Sequence, residues 1–294
     1  MLKLPRFLVL TLVLAATSLC VTADPFDYDR TAPLSIHEVA TTTHDGAVVR
    51  DITFVPLPGR EPVKAFLVTP AAPAKKPSAF AGILYVHWLG EPATTNRTEF
   101  LSEAAALTRN GVVSVLVDAM WAQPDWYEKR IPEEDAAHST QQVIALRRAL
   151  DLLLAQPGVD PARIAVVGHD YGAMHATVMG AADRRAKTYV LMAGTPHFID
   201  WALYARQPKD LAALRAELAP LDPVSHVAGL APATVFFQFA QNDKYVPAAA
   251  AAAFYAAALP RKQLATYRAG HDLHTPEVAA DRITWLMREL SLNR

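Results

Sequence analysis

The chain of 294 residues is 52% hydrophobic and carries 28 basic against 29 acidic side chains. A chain of this length and composition can bury one large hydrophobic core, which predicts a single compact domain. The near-neutral charge leaves no basic stripe that would attract phosphate groups, so the composition excludes nucleic acid as an expected partner.

The first 23 residues have the pattern of a secretory signal. Lys3 and Arg6 precede an apolar run over residues 7–16, and small residues close the segment. The run is shorter than the roughly 20 apolar residues of a membrane span, so we expect cleavage and no stable membrane insertion afterwards. The sequence therefore predicts a signal peptide over residues 1–23, a single domain over residues 24–294, and a periplasmic or secreted location.

Neither thiol chemistry nor a metal is expected. Cys20 is the only cysteine and lies inside the predicted signal, which leaves residues 24–294 without a disulfide, a thiol nucleophile or a thiolate ligand. Five of the histidines show no tight metal-ligand spacing, so we expect no metal and no cofactor. These are His138, His175, His197, His226 and His274.

Strands and helices alternate along most of the chain. The segments AVVRDITFVPLP and VKAFLVTP read as an antiparallel pair, followed by an exposed connector over Pro70–Ser78. Further strands are predicted at 80–90, 112–119, 160–170, 186–194, 233–240 and 263–270, and helices at 98–111, 136–158, from Tyr171, irregularly over 195–232, at 247–259 and from about Glu277. Strands that are apolar on both faces indicate an α/β fold, with a mostly parallel central sheet and helices on both faces.

The segment GHDYG lies where a predicted strand turns into a helix. Ligands of a parallel α/β sheet bind at the carboxyl ends of its strands, and a Gly-x-nucleophile-x-Gly turn lifts one side chain above that edge. Gly168 and Gly172 suit this turn because larger side chains would crowd the neighbouring strand and helix. Asp170 is thus predicted at an exposed tip, near the positive end of the helix that starts at Tyr171.

Two further side chains complete a catalytic arrangement by their order in the chain. Asp243 follows the end of one predicted strand and His271 the end of the next. The order nucleophile, acid, histidine is the one that this type of nucleophile turn requires. Asp200 and Asp222 are weaker alternatives for the acid. We therefore predict that Asp170, Asp243 and His271 form a catalytic triad.

With these residues the chain resembles the α/β-hydrolase superfamily over nearly all of residues 24–294. The body, including LAPLDPVSHVAGL, looks most like dienelactone-hydrolase-type and prolyl-oligopeptidase-type domains, which usually carry cysteine or serine at the apex. The element GHDYG is instead similar to that of haloalkane dehalogenases, fluoroacetate dehalogenases and soluble epoxide hydrolases, whose nucleophile is aspartate. Body and apex thus point to different branches, and we interpret His87 and His169, inside the resembling motifs, as structural residues.

An aspartate nucleophile implies a particular chemistry. A carboxylate is already ionised at neutral pH, and its natural target is an sp3 carbon that bears a leaving group. This predicts a covalent ester on Asp170 formed from a carbon–halogen or epoxide substrate. His271, oriented by Asp243, would then activate the water that hydrolyses the ester. The oxyanion would accept hydrogen bonds from the backbone N–H of Tyr171 and, by resemblance to the superfamily's oxyanion loop, of Leu89.

The resemblance is incomplete around the substrate. Dehalogenases and epoxide hydrolases usually have a helical cap, and the segment Thr195–Pro232 is too short for one. Four aromatic residues could line the substrate pocket or donate to a leaving group, or they could only pack the loops. They are Trp88, Trp121, Trp126 and Tyr127.

Three functions remain open, each with a small molecule as the partner. The first is an exported hydrolase that forms a covalent ester on Asp170. The second is a dienelactone-hydrolase-like esterase or lactonase without covalent attack by Asp170. The third is a catalytically silent binding protein with the hydrolase fold. The presence of Asp243 and His271 argues against the third, because a silent site needs neither.

Overall fold

A computed structural model describes residues 24–44, 46–73, 79–91, 95–202 and 208–292. The predicted signal and most of the predicted connector lie outside the described residues. None of the helices in these ranges is both long and apolar enough to cross a membrane.

A nine-stranded sheet runs through the described part of the chain. Its strands are β1 (His37–His44), β2 (Ala47–Phe54), β3 (Val63–Pro70), β4 (Phe80–Val86), β5 (Val112–Val117), β6 (Val159–His169), β7 (Thr188–Met192), β8 (Thr234–Ala240) and β9 (Lys262–Tyr267). Their order in the sheet is β1-β2-β3-β5-β4-β6-β7-β8-β9. Pairing is antiparallel among β1, β2, β3 and β5 and parallel across the rest. The predicted α/β fold with a mostly parallel sheet is confirmed.

Strand β1 is the one element of the sheet that the sequence analysis does not predict. All eight of its residues are exposed, so its sequence HEVATTTH shows no buried apolar face. It is held at the edge of the sheet by antiparallel pairing with β2. Hydrophobic periodicity carries no signal for a strand of this kind.

Helices cover both faces of the sheet. In the described residues they are α1 (Leu101–Leu107), α2 (Trp126–Lys129), α3 (Asp135–Leu154), α4 (Tyr171–Ala182), α5 (Ile199–Ala202), α6 (Leu211–Leu218), α7 (Pro223–His226), α8 (Ala248–Ala257) and α9 (Pro276–Glu289). The short helices α5, α6 and α7 occupy the described part of Thr195–Pro232. They form no separate cap domain, as the length of that segment predicts.

Strand β4 shows how the sheet separates two cores. Leu84 and Val86 pack into the core that contains residues of α3 and α4. Ile83 and Tyr85 pack into the core that contains residues of α1 and α9. Because successive side chains of a strand point to opposite faces, a strand buried on both sides reads as a continuous apolar run. This arrangement leaves the carboxyl ends of β4, β6, β8 and β9 at one common edge, where the polar residues of interest follow.

Candidate active site

Asp170 joins the end of β6 to the start of α4 in a strained turn. Its φ is +55° and its ψ is −116°, a region that non-glycine residues rarely occupy. Its N–H donates to the carbonyl oxygen of Met192 at 2.6 Å, which holds the strained backbone in place. The prediction of an exposed tip is wrong, because the Asp170 side chain is fully buried. The loop after β4 and the ring of His271 both contact its carboxylate and cover it.

The two glycines of the turn allow α4 to pack closely against the sheet. A Cβ atom on Gly172 would lie 2.4 Å from the carbonyl oxygen of Val86 and 2.5 Å from that of His87. A Cβ atom on Gly168 would lie 2.7 Å from the Cα atom of Ala173. These distances are far below van der Waals contact, so the predicted reason for glycine at both positions holds.

Replacing Gly172 with alanine should therefore lower the free energy of unfolding by about 3 kcal/mol or more, since the added methyl group meets rigid backbone atoms. Urea unfolding followed by circular dichroism measures the loss. Gly46→Ala is the control, because nothing lies within 4 Å of its Cβ position and only its φ of +83° is unfavourable. That substitution should be destabilising by about 1 kcal/mol. Equal losses in both variants would contradict the close-packing argument.

The structure brings the three predicted triad residues together. Asp243 follows β8 and His271 follows β9, and the His271 Nδ1 atom lies 2.7 Å from an Asp243 carboxylate oxygen in a hydrogen bond. The other Asp243 oxygen accepts the N–H groups of Tyr245 and Val246 at 2.8 and 3.0 Å. On the far side of the ring, His271 Nε2 lies 3.4 Å from Asp170 Oδ1. The imidazole of His271 thus sits between two carboxylates.

This position determines the charge on the imidazole. Burial disfavours the charged ring, but Asp170 and Asp243 outweigh burial and raise the pKa of His271 to about 10. Burial likewise opposes the charge on Asp243, yet its contacts with His271 and with two backbone N–H groups hold its pKa below the usual value. His271 is therefore an imidazolium at neutral pH when both carboxylates are charged.

The two oxygens of Asp170 have different surroundings. Oδ2 accepts the backbone N–H of Leu89 at 3.0 Å, so a predicted oxyanion donor binds the carboxylate itself. Oδ1 has no hydrogen bond from any described residue and faces His271. Tyr171, the other predicted donor, is the first residue of α4, where a backbone N–H has no acceptor within the helix.

A cavity of about 620 Å³ lies beside these residues. It is lined by all four predicted aromatic residues and by Leu89 and His271, which both contact the Asp170 carboxylate. Two further aromatic residues in the wall are not predicted from the sequence: Trp201 and Tyr245, whose rings lie 5.8 and 4.9 Å from the His271 ring. Tyr245 is only two residues from Asp243 in the chain, and this proximity could have indicated that Tyr245 lies at the site.

The polar groups of the aromatic residues that line the cavity differ in whether they already donate a hydrogen bond. The Trp121 indole N–H donates to the Trp88 carbonyl oxygen at 3.1 Å, and the Tyr127 hydroxyl donates to the Trp201 carbonyl oxygen. Both groups hold loops together and are not available to a leaving group. The Trp88 indole nitrogen is buried and has no hydrogen-bond partner among the described residues. Of these three aromatic residues, Trp88 fits a donor role.

Neither alternative acid hydrogen-bonds to His271. Asp222 binds His197 Nδ1 at 2.9 Å and the Phe198 N–H at 2.8 Å. Asp200 is a half-buried residue of α5 whose pKa is raised by burial. Asp243 is therefore the carboxylate that orients the imidazole of His271.

His87 and His169, interpreted as structural, are both fully enclosed by protein. His87 Nε2 accepts the Ala119 N–H at 3.0 Å, and burial lowers the pKa of His87. His169 Nδ1 lies 2.6 Å from Glu99 Oε1, a partner that the sequence analysis misses. Among the described residues, Glu99, His169 and His274 could hold a metal ion, since their ligand atoms lie within 4.8 Å of one another. The Glu99–His169 hydrogen bond uses two of these atoms and accounts for that part of the cluster without a metal.

Comparisons with known proteins identify the fold. No family model matches the chain, and no curated protein matches it. Among solved structures, it is similar to the acetyl xylan esterase from Paenibacillus sp. R4, with 18% identity, a TM-score of 0.71 and coverage of 88% of this chain and 90% of that one. Acetyl xylan esterase 1 from Thermoanaerobacterium sp. JW/SL YS485 has 16% identity and a TM-score of 0.70, with coverage of 90% of this chain and 91% of that one. A structure described as a putative dienelactone hydrolase from Klebsiella pneumoniae has 16% identity and a TM-score of 0.59, with coverage of 83% of this chain and 98% of that one.

The chain thus has the α/β-hydrolase fold. The neighbours agree with the dienelactone-hydrolase-like body that the sequence predicts. They give no support to the similarity of GHDYG with the dehalogenase and epoxide hydrolase motif. At these identities the comparisons carry the fold alone, so the chemistry at Asp170 has to be argued from the geometry of the site.

Proposed function

We propose that this chain is a hydrolase of small organic molecules that bind in the aromatic cavity. One observation carries the proposal: Asp170, His271 and Asp243 contact one another in series at the carboxyl ends of β6, β9 and β8, next to that cavity. A nucleophile or base, an imidazole and an orienting acid in this order are the parts that hydrolysis requires. A silent binding protein would need none of these contacts.

An ester is the first candidate for the bond that is cleaved, because the similar structures named above are described as esterases and a dienelactone hydrolase. In this route neutral His271 removes a proton from water, the water attacks the ester carbonyl, and Asp170 forms no covalent bond. The raised pKa of about 10 leaves little neutral imidazole at neutral pH. Ester hydrolysis by this route should accelerate as the pH rises towards 10.

A covalent ester on Asp170 is the second candidate, and the Leu89 hydrogen bond favours it. With Oδ2 held by that N–H, Oδ1 is left to attack an sp3 carbon, and a halide or an epoxide oxygen leaves with the electron pair. Trp88 lines the cavity, and its indole N–H, which has no partner among the described residues, would donate a hydrogen bond to that leaving group. In the second step water attacks the carboxyl carbon of Asp170, and the Leu89 N–H stabilises the oxyanion that develops on Oδ2.

The covalent route also accounts for the charge on His271. While Asp170 is ionised it stabilises the imidazolium, so the imidazole cannot act as a base. Ester formation removes the negative charge of Asp170, and the pKa of His271 must then fall because only one carboxylate remains beside it. The imidazolium then gives its Nε2 proton to the solvent or, where an epoxide has opened, to the new alkoxide, and the neutral imidazole is the base that the second step needs.

Single turnovers in oxygen-18 water separate the candidates. With the enzyme in excess over the substrate, the covalent route places the label in the Asp170 carboxylate and gives an unlabelled product. Direct attack by water labels the released acid and leaves Asp170 unlabelled. Panels of activated esters, haloalkanes and epoxides should be tested, with mass spectrometry of the product and of the peptide that carries Asp170. No turnover of any panel would count against a hydrolase.

We also propose that residues 24–294 are exported. Lys3, Arg6 and the apolar run over residues 7–16 support this location.

A further inference from the structure

We propose that Glu99 and His169 form a positioning pair, which fixes the backbone of His271 and the amide that binds Asp170. The inference rests on the hydrolase function proposed above, and it assigns a role to two buried residues that the proposed chemistry leaves unused. Glu99 precedes α1 and His169 ends β6, so the pair connects elements on either side of the site.

The hydrogen bonds of His169 indicate its protonation. Its Nδ1 atom lies 2.6 Å from Glu99 Oε1, and its Nε2 atom lies 3.2 Å from the backbone carbonyl oxygen of His271. Both partners are acceptors, so both ring nitrogens donate and the ring is an imidazolium paired with a carboxylate. The two side chains are 0% and 2% exposed, which keeps water from competing for these bonds.

The carboxylate is held in the charged form that this pairing needs. Burial opposes ionisation of Glu99, but its interactions with His169, His274 and the Trp88 N–H outweigh burial and lower its pKa to about 2. The hydrogen bonds thus pair the Glu99 carboxylate with a ring that donates from both nitrogens. The role that we assign to the pair is geometric, since its hydrogen bonds reach the backbone of His271 and of Trp88.

A second set of contacts reaches the other side of Asp170. Glu99 Oε2 accepts the backbone N–H of Trp88 at 2.9 Å, and the Trp88 ring stacks on the His169 ring at 5.5 Å with 16° between the planes. The next residue, Leu89, donates its N–H to Asp170 Oδ2. One buried ion pair thus holds both the segment that carries the imidazole and the segment that carries the oxyanion donor.

Losing the bond to the His271 carbonyl would leave a buried acceptor unpaired and free the loop after β9 to move. Misplacement of a catalytic group by about 1 Å can lower the rate by about 10²-fold. Because the cavity is lined mainly by other residues, substrate binding should change much less than turnover.

Two substitutions at His169 separate its two hydrogen bonds. Asparagine places an amide N–H near the Nδ1 position and retains a donor to Glu99, whereas glutamine reaches the Nε2 position and retains a donor to the His271 carbonyl. We expect His169→Asn to lower kcat by about 10- to 100-fold at nearly constant KM. The loss in His169→Gln should be several-fold smaller. The control is His226→Asn, since His226 Nε2 also bonds to a backbone carbonyl, that of Pro220, at 2.7 Å, and His226 does not line the cavity.

A loss in His169→Asn equal to or smaller than that in His169→Gln would overturn the proposal, as would a change confined to KM. Imidazole NMR of the wild-type protein labelled with nitrogen-15 in its histidines tests it without any variant that has to fold. At neutral pH we expect His169 to show two protonated ring nitrogens, and a singly protonated ring overturns the pair. An imidazolium signal from His169 in a wild-type protein without hydrolase turnover would reject the proposed function and leave the ion pair standing.

Discussion

His271→Gln should stop multiple turnover, with a fall in kcat of about 10²- to 10⁴-fold, the usual contribution of a general base. In the covalent route the variant should still attack its substrate once, because Asp170 needs no base for that step. The ester then has no activated water to hydrolyse it and accumulates. Its stoichiometry should approach one adduct per enzyme molecule.

Mass spectrometry of the peptide that carries Asp170 measures this adduct, and its mass identifies the substrate class. The direct-water route predicts the same loss of turnover with no adduct. His226→Gln is a matched control, since it removes an imidazole outside the cavity lining and should leave the rate unchanged. Full turnover in His271→Gln would contradict both routes, because each uses the imidazole of His271 as the base.

The sequence predicts the strand–turn–helix geometry around Asp170 well because its determinants are local. A buried strand, two glycines and a following helix lie within a short stretch, and each has a direct steric reason to be there. Asp243 and His271 follow from the same rule, since parallel strands end at a common edge. The fold class, the order of every strand except β1 and the three side chains that meet at the candidate site are accessible to this kind of reasoning.

Other parts of the site depend on contacts that no local pattern reveals. Glu99 and His169 are 70 residues apart in the chain, and His169 and His271 are 102 apart. Trp201 lies in an irregular segment where periodicity gives no register. The burial of Asp170 is also a tertiary effect, because the residues that cover it come from the loops after β4 and β9. Sequence patterns indicate which residues reach the edge of the sheet, whereas their protonation and exposure require coordinates.

Asp170→Asn should give opposite results in the two candidate routes. Asparagine keeps the shape of the side chain and removes its charge. If Asp170 is the nucleophile, turnover should fall by about 10⁴-fold or more, as expected when an enzyme loses the group that forms its covalent intermediate. If water attacks an ester directly, activity should survive and its pH dependence should change.

The direction of that change follows from the charges around the imidazole. In the wild type two carboxylates raise the pKa of His271 to about 10, and only the neutral ring present above that pKa acts as a base. Removing the charge of Asp170 lowers the pKa of His271, so the rising limb of the rate–pH profile should move to lower pH and the rate at neutral pH should increase. Asp170→Ala is the second variant, because the side-chain amide of Asp170→Asn can slowly hydrolyse back to a carboxylate. A profile that does not shift in either variant, with the rate retained, would mean that Asp170 controls neither the chemistry nor the charge of His271.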